Sequence, residues 1–123
     1  MPTIYKAPRK NPRRENIGDR RERQAIYQSR MWRELRMAHL MNHPVCQVCD
    51  GVGVTELAVD VHHVRSFMDA EGAERLHLAF DAGNLLALCK RCHNQIHHGE
   101  LKGCATLAEM ISRRKQSMRK HKL

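Results

Sequence analysis

Aromatic side chains are scarce in this sequence, which has one Trp, two Tyr and two Phe among 123 residues. A chain of this length has room for about one domain, and a core with so few large rings is thin. Small domains with thin cores usually need further support from a metal ion or from disulfides. The composition therefore predicts one small domain with such a support.

Long apolar segments are also missing from the sequence. No run approaches the roughly 20 residues that a membrane-spanning helix needs, and the N-terminus lacks the apolar stretch of a secretory signal. We therefore expect a cytoplasmic protein without a membrane partner, in a compartment where cysteines stay reduced.

Four of the five cysteines have the spacing of zinc knuckles. Cys46 and Cys49 form one Cys-x-x-Cys pair, and Cys89 and Cys92 form the other. Four thiolates around one ion make a closed tetrahedral site with no open coordination position, which is typical of structural zinc. We expect this zinc to support the fold, and we expect no role for Cys104.

Acidic residues are few at both ends of the chain. Residues 1–24 contain eight Lys or Arg and three Asp or Glu, and residues 113–123 contain six and none. Residues 25–112 are near neutral, so the excess positive charge lies in two arms around a central domain. Basic arms bind phosphate backbones without reading sequence, although solvated tails are an alternative. The predicted DNA contacts are Arg9, Lys10, Arg13, Arg14, Arg65, Arg113, Arg114 and Lys115.

Hydrophobic periodicity predicts an α+β domain. An apolar face with helical spacing runs from about Arg20 to Asn42 and stops before Pro44. Trp32 in this helix is most simply a core anchor, and base stacking is the alternative. The later elements are a strand over 57–64, a long polar loop over 66–83, a strand over 84–89, a helix over 91–99 and a last helix that Thr106 and Glu109 cap.

Five of the nine histidines form two groups. His62 and His63 are adjacent, whereas His93 and His97 lie one helical turn and about 40° apart. His98 lies about 140° from His93 and is expected to face solvent. Two imidazoles one turn apart chelate a divalent ion and leave positions open for a phosphate and water. One histidine of the adjacent pair could be a third ligand and the other a base.

Together, His62-His63-Val64, Asn84-Leu85 and the Cys-x-x-Cys-His-x-x-x-His run that ends at His97 resemble the motif of the HNH endonucleases. The resemblance covers residues 46–98, and the flanking Trp-Arg-Glu-Leu-Arg segment is also similar to small phage and prophage HNH proteins. It implies a treble-clef-like ββα-metal domain with structural zinc over residues 25–112, flanked by an N-terminal and a C-terminal helix.

The resemblance also implies a role for each motif residue. His63 is expected to be the general base, and His62 and His93 are expected to bind the catalytic metal, with His97 as a third ligand. Asn84 is expected to tie the loop and to orient His63. HNH proteins generally carry Asp where this chain has His62. An imidazole-rich site favours Mn, Co, Ni or Zn over Mg.

These observations predict a monomeric, metal-dependent DNA endonuclease with little sequence specificity. Its expected cofactors are a structural Zn²⁺ and a catalytic divalent ion (Mn, Ni, Co, Zn or Mg). The resemblance to phage proteins implies the cytoplasm of a host cell and a phage terminase large subunit as a partner in DNA packaging. The alternative is a non-catalytic, zinc-stabilised DNA-binding module, which needs the cysteines and the basic arms but not the histidines.

Overall fold

Helices surround a two-stranded sheet in the part of the chain that the structure describes. The computed structural model describes residues 16–120. Its helices and strands are α1 (Ile17–Gln28), α2 (Arg30–Asn42), α3 (Gln47–Gly51), β1 (Asp60–His63), α4 (Gly72–Phe80), β2 (Leu85–Leu88), α5 (Lys90–His98) and α6 (Leu107–Lys120). Within residues 16–120, no helix is both long and apolar enough to cross a membrane. The mixture of helices with a small sheet confirms the α+β class.

The centre of the fold is the unit formed by β1, β2 and α5. The strands are antiparallel, with His63 opposite Leu85 and His62 opposite Leu86. All four residues of β2 are buried, and α5 begins two residues after β2 ends. Both predicted strands are present but shorter than expected. The unit therefore brings the end of β1 close to the first turns of α5.

The predicted single helix over residues 20–42 was wrong, because Ser29 divides it into α1 and α2. The backbone of Ser29 is extended, with φ −70° and ψ 150°. Its hydroxyl accepts a hydrogen bond from the Trp32 amide at 3.1 Å and donates one to the Ile26 carbonyl at 2.7 Å. One serine thus satisfies backbone groups at the end of one helix and the start of the next.

The long polar loop predicted over residues 66–83 was also wrong, because α4 lies within it. Arg75 in α4 is buried, and its Nη1 lies 3.2 Å from an Asp19 oxygen and 2.9 Å from a Glu22 oxygen of α1. Periodicity counts an arginine as outward-facing, so the buried side of this helix was not recognised. The ion pairs also attach α1 to the rest of the domain.

Both predicted arm boundaries fall inside helices. The division at residue 24 lies within α1, and the division at residue 113 lies within α6. In α6, Met110 is buried against the cysteine cluster. At its start, Thr106 Oγ1 accepts from the Glu109 amide at 3.2 Å, as the capping box predicted. The inner part of each arm is therefore built into the domain.

Candidate active site

Four cysteines form a closed cluster beside the ββα unit. Their sulfur atoms all lie within 4.8 Å of one another, and all four residues are buried. The Cys49 sulfur lies 3.9 Å from that of Cys89 and 3.6 Å from that of Cys92. Sulfur ligands about 2.3 Å from a tetrahedral zinc lie about 3.8 Å apart. The spacing of Cys46, Cys49, Cys89 and Cys92 therefore fits one zinc ion.

The pKa values of the cysteine thiols also favour binding of a cation. A hydrogen bond with Cys92 is the largest cause that lowers the pKa of Cys46 to about 4, and the same bond raises the pKa of Cys92. A thiolate at Cys46 thus favours a protonated thiol at Cys92 unless a cation binds in the cluster. Nη2 of Arg114 lies 3.4 Å from the Cys92 sulfur, and Nη2 of Arg91 lies 4.0 Å from the Cys49 sulfur. These two arginines would offset the excess charge of four thiolates on a divalent ion.

The structure does not support Arg114 as a DNA contact, because its side chain is buried. Arg114 is 5% exposed, its Nε lies 2.9 Å from a Glu100 oxygen, and its Nη2 also bonds to Gln95. The neighbouring Arg113 is exposed but donates to the carbonyl of Glu100 at 3.3 Å and to that of Lys102 at 2.7 Å. These bonds attach α6 to the segment after α5.

The other basic residues proposed for DNA binding have mixed positions. Arg65 and Lys115 are exposed, and Arg65 lies 3.5 Å from a Glu74 oxygen. The remaining predicted contacts fall outside the residues that the structure describes, namely Arg9, Lys10, Arg13 and Arg14.

Three histidines meet where β1 faces α5. His62, His93 and His97 each place a ring nitrogen within 4.8 Å of the other two. Nε2 of His93 lies 3.1 Å from Nε2 of His97, and nitrogen ligands of one ion, each 2.0–2.1 Å from it, are about 3.0–3.4 Å apart. His97 is exposed and the other two are partly exposed, so the cluster opens to solvent. The structure brings these three together and leaves His98 outside the cluster.

Two rings of the cluster, those of His62 and His97, are in the form that binds a cation at neutral pH. Burial, followed by the charges of His93 and His97, lowers the pKa of His62 to about 4. Burial and the neighbouring His93 also lower the pKa of His97. Neutral imidazole is the form that ligates metals. A divalent ion therefore needs to displace no proton from these two rings near pH 7.

Asp60 orients one of these ligands, and sequence reasoning missed it. Its carboxylate oxygen lies 3.0 Å from Nδ1 of His93. A carboxylate only accepts, so Nδ1 carries the hydrogen and Nε2 presents its lone pair to the cluster. Asp60 lies two residues before His62, and alternate residues of a strand share one face. That alternation was the signal that could have found it.

His63 points to the other side of β1 and is enclosed by aromatic rings. Its ring stacks on Trp32 at 4.8 Å, and the Phe67 ring stands edge-on at 4.9 Å. Nε2 lies 3.0 Å from the Ala79 carbonyl oxygen, which can only accept, so Nε2 carries the hydrogen and Nδ1 has the lone pair. Burial lowers the pKa of His63. The ring is therefore a neutral base with a defined tautomer.

Asn84 ties together the chain segments behind His63. Its amide nitrogen donates to the carbonyls of Arg65 at 2.9 Å and Leu78 at 3.0 Å. Its side-chain oxygen accepts from the Arg65 amide at 2.9 Å. These three bonds join the exit of β1 to α4 and to the start of β2. Asn84 thus occupies the position expected of a residue that fixes this loop.

One cavity of about 420 Å³ borders both groups of histidines. Adjacent strand residues point to opposite faces, but β1 ends at His63, so His62 and His63 both reach the same space. The cavity is lined by all four site histidines, His62, His63, His93 and His97. A substrate in this space would meet a base and a cation-binding cluster together.

Comparisons with known proteins agree with this geometry. The family model described as HNH endonuclease matches residues 46–99. The fold is similar to the crystal structure of the HNH endonuclease of the deep-sea thermophilic bacteriophage GVE2 with manganese ion. That match has a TM-score of 0.54 and 23% identity, and it covers 84% of this chain and 89% of the phage chain. The comparison with curated proteins found no match. Since the matched segment contains both clusters, His63 and Asn84, we conclude that residues 46–99 form an HNH endonuclease domain.

Proposed function

We propose that this endonuclease hydrolyses DNA phosphodiester bonds with little sequence preference and depends on a divalent ion held by His62, His93 and His97. The observation that carries the proposal is the shared cavity, which borders these three ligands and the base His63. An open cluster of three imidazoles next to a buried neutral base suits metal-assisted hydrolysis. A non-catalytic DNA-binding module would need neither feature.

In this proposal His63 takes a proton from the attacking water through Nδ1. The Ala79 carbonyl, 3.0 Å from Nε2, fixes the tautomer that makes this transfer possible. Asn84 holds the loop behind the ring, and Asp60 keeps Nε2 of His93 directed at the ion. A bound divalent ion would supply positive charge to the scissile phosphate and to the leaving oxygen.

Manganese is the first catalytic ion to test. An all-imidazole cluster favours Mn, Co, Ni or Zn over Mg by ligand type, and the similar phage HNH endonuclease was crystallised with a manganese ion. We propose that the four cysteines hold a separate structural Zn²⁺, because their sulfur spacing and burial fit that ion.

A plasmid-nicking assay with Mn, Co, Ni, Zn and Mg tests the proposal. We expect wild type and the control His98→Ala to cut, because His98 lies beside the cluster but outside it. His63→Ala should lose about 10²–10⁴-fold in rate while it still binds manganese, since only the general base is removed. Equal cutting by His63→Ala would remove His63 as the base. DNA binding without cutting under any ion would favour the non-catalytic module.

The likeness to a phage enzyme also supports a cellular setting. We propose that the protein acts as a monomer in the cytoplasm of a host cell, together with the large subunit of a phage terminase during DNA packaging. The basic arms, including Lys115 and the residues from Arg9 to Arg14, would hold the DNA backbone. Co-purification with a terminase large subunit, and a change in its cleavage products, tests this partner. A terminase that neither binds nor changes its products would contradict it.

A further inference from the structure

We infer that α1 and α2 form a phosphate-binding wall opposite the histidine cluster, in which Arg23 and Arg36 hold the DNA backbone beside the scissile phosphate. The inference rests on the proposed function of the same cavity. It assigns a substrate-binding role to two helices that lie outside the matched segment of residues 46–99.

The two helices present matching pairs of side chains. Arg23 and Tyr27 in α1 are four residues apart, and so are Trp32 and Arg36 in α2. Residues four apart lie on one helix face, and all four of these side chains line the cavity. The Tyr27 and Trp32 rings meet edge to face at 5.6 Å. Each helix therefore turns one aromatic ring and one arginine towards the site.

Arg36 is held in place by the strand that carries the site. Its Nη2 donates to the carbonyl of Val59 at 3.0 Å, one residue before β1 begins. A guanidinium has five N–H donors in a planar fork that matches a phosphate. The bond to the Val59 carbonyl already holds the guanidinium of Arg36 in place. A second contact, with an anion, would therefore cost little conformational entropy. A side chain anchored in this way differs from a freely moving surface arginine.

The charge of the cavity favours an anionic ligand. Its described lining contains Arg23, Arg36 and four histidines, but no Asp or Glu. The two arginines carry the fixed positive charge of this lining. Low-dielectric walls strengthen their attraction for a phosphate. Trp32 is buried beneath His63, whereas Tyr27 is exposed and offers an apolar surface for a sugar or a base.

Arginine-to-glutamine substitutions test the wall. For Arg36→Gln and for Arg23→Gln we expect the KM for DNA to rise about ten-fold. The negative slope of the logarithm of the DNA-binding constant against the logarithm of the salt concentration should become shallower by about one, because one phosphate contact is lost. The increase in KM should be smaller for bis(4-nitrophenyl) phosphate than for DNA, because this small diester has no neighbouring phosphates. Arg33→Gln is the matched control, since Arg33 is exposed on α2 and does not line the cavity. Arg36→Lys keeps the charge and should restore the salt slope.

The outcomes separate this inference from the proposed function. If Arg23→Gln and Arg36→Gln match Arg33→Gln in KM and in salt slope, the wall is wrong even though the enzyme cuts DNA. If wild type cuts no DNA with any ion, the proposed function fails, and the salt slope of DNA binding still tests the arginines. Circular dichroism checks that each variant folds. A folded Arg36→Gln with an unchanged slope overturns the role of Arg36.

Discussion

The cysteine cluster and the histidine cluster meet on one helix and differ in almost every physical property. Cys92 and His93 are consecutive in α5, yet one belongs to a buried set of four and the other to an open set of three. Four ligands fill the coordination sphere of zinc, whereas three leave room for substrate and water. Adjacent positions of one helix thus serve two sites, because successive residues point about 100° apart.

The charged side chains that directly contact the ligands have opposite charge at the two clusters. Arg114 and Arg91 lie against the cysteine sulfurs, where thiolates exceed the charge of one divalent ion. Asp60 lies against His93, where imidazole ligands supply no negative charge to offset that of an ion. The partners of the ligands are therefore matched to the net charge of each loaded site. If the two sites are independent, a substitution in one site should leave the metal content of the other unchanged.

The largest effect is expected from Cys46→Ser. Removal of one thiolate should release the zinc and unfold the domain, because structural zinc contributes about 10–16 kcal/mol of apparent binding free energy, which rivals the stability of a whole small domain. Metal analysis by mass spectrometry and circular dichroism measure the two losses. Cys104→Ser is the control and should keep both zinc and helicity. A zinc-free Cys46→Ser protein with unchanged helicity would refute the structural role of the cluster.

His93→Ala should abolish cleavage while the fold and the zinc remain. The variant removes the ligand that both Asp60 and His97 contact, so manganese affinity should fall sharply and the cleavage rate by about 10³-fold, or roughly 4 kcal/mol of barrier. Cleavage rate, zinc content and melting temperature are measured together, with His98→Ala as the control. Loss of zinc from His93→Ala would show that the two sites are not independent.

A smaller effect is expected from Asp60→Asn. The amide can no longer hold the Nδ1 hydrogen of His93 as strongly, so manganese affinity should fall about 10–100-fold without loss of zinc. Titration calorimetry with Mn²⁺ gives the affinity, and Asp50→Asn, an exposed substitution in α3, is the control. An affinity equal to that of the control would mean that Asp60 does not position His93.

Features set by short spacing could be predicted from the sequence. The Cys-x-x-Cys pairs and the turn between His93 and His97 depend on local backbone geometry, so spacing alone brings those side chains together. The strand pair followed by a helix was recognised for the same reason. Both adjacent histidines reach one cavity because β1 ends at His63.

Features set by distant partners could not be predicted. Arg75 is buried because Asp19 and Glu22, more than 50 residues earlier, neutralise it, and this concealed α4. Arg114 was interpreted as part of a basic arm, but Glu100 and the Cys92 sulfur hold it inside the fold. Hydrophobic periodicity treats each charge as exposed, so buried ion pairs are the cases in which it fails.

Metal content after manganese loading tests whether two independent sites with different functions share α5. Wild type and His93→Ala are dialysed against Mn²⁺, desalted and analysed for zinc and manganese by mass spectrometry. The account predicts one zinc and one manganese per wild-type chain, and one zinc with no manganese per His93→Ala chain. Equal manganese in both proteins, or loss of zinc together with manganese in the variant, would contradict it.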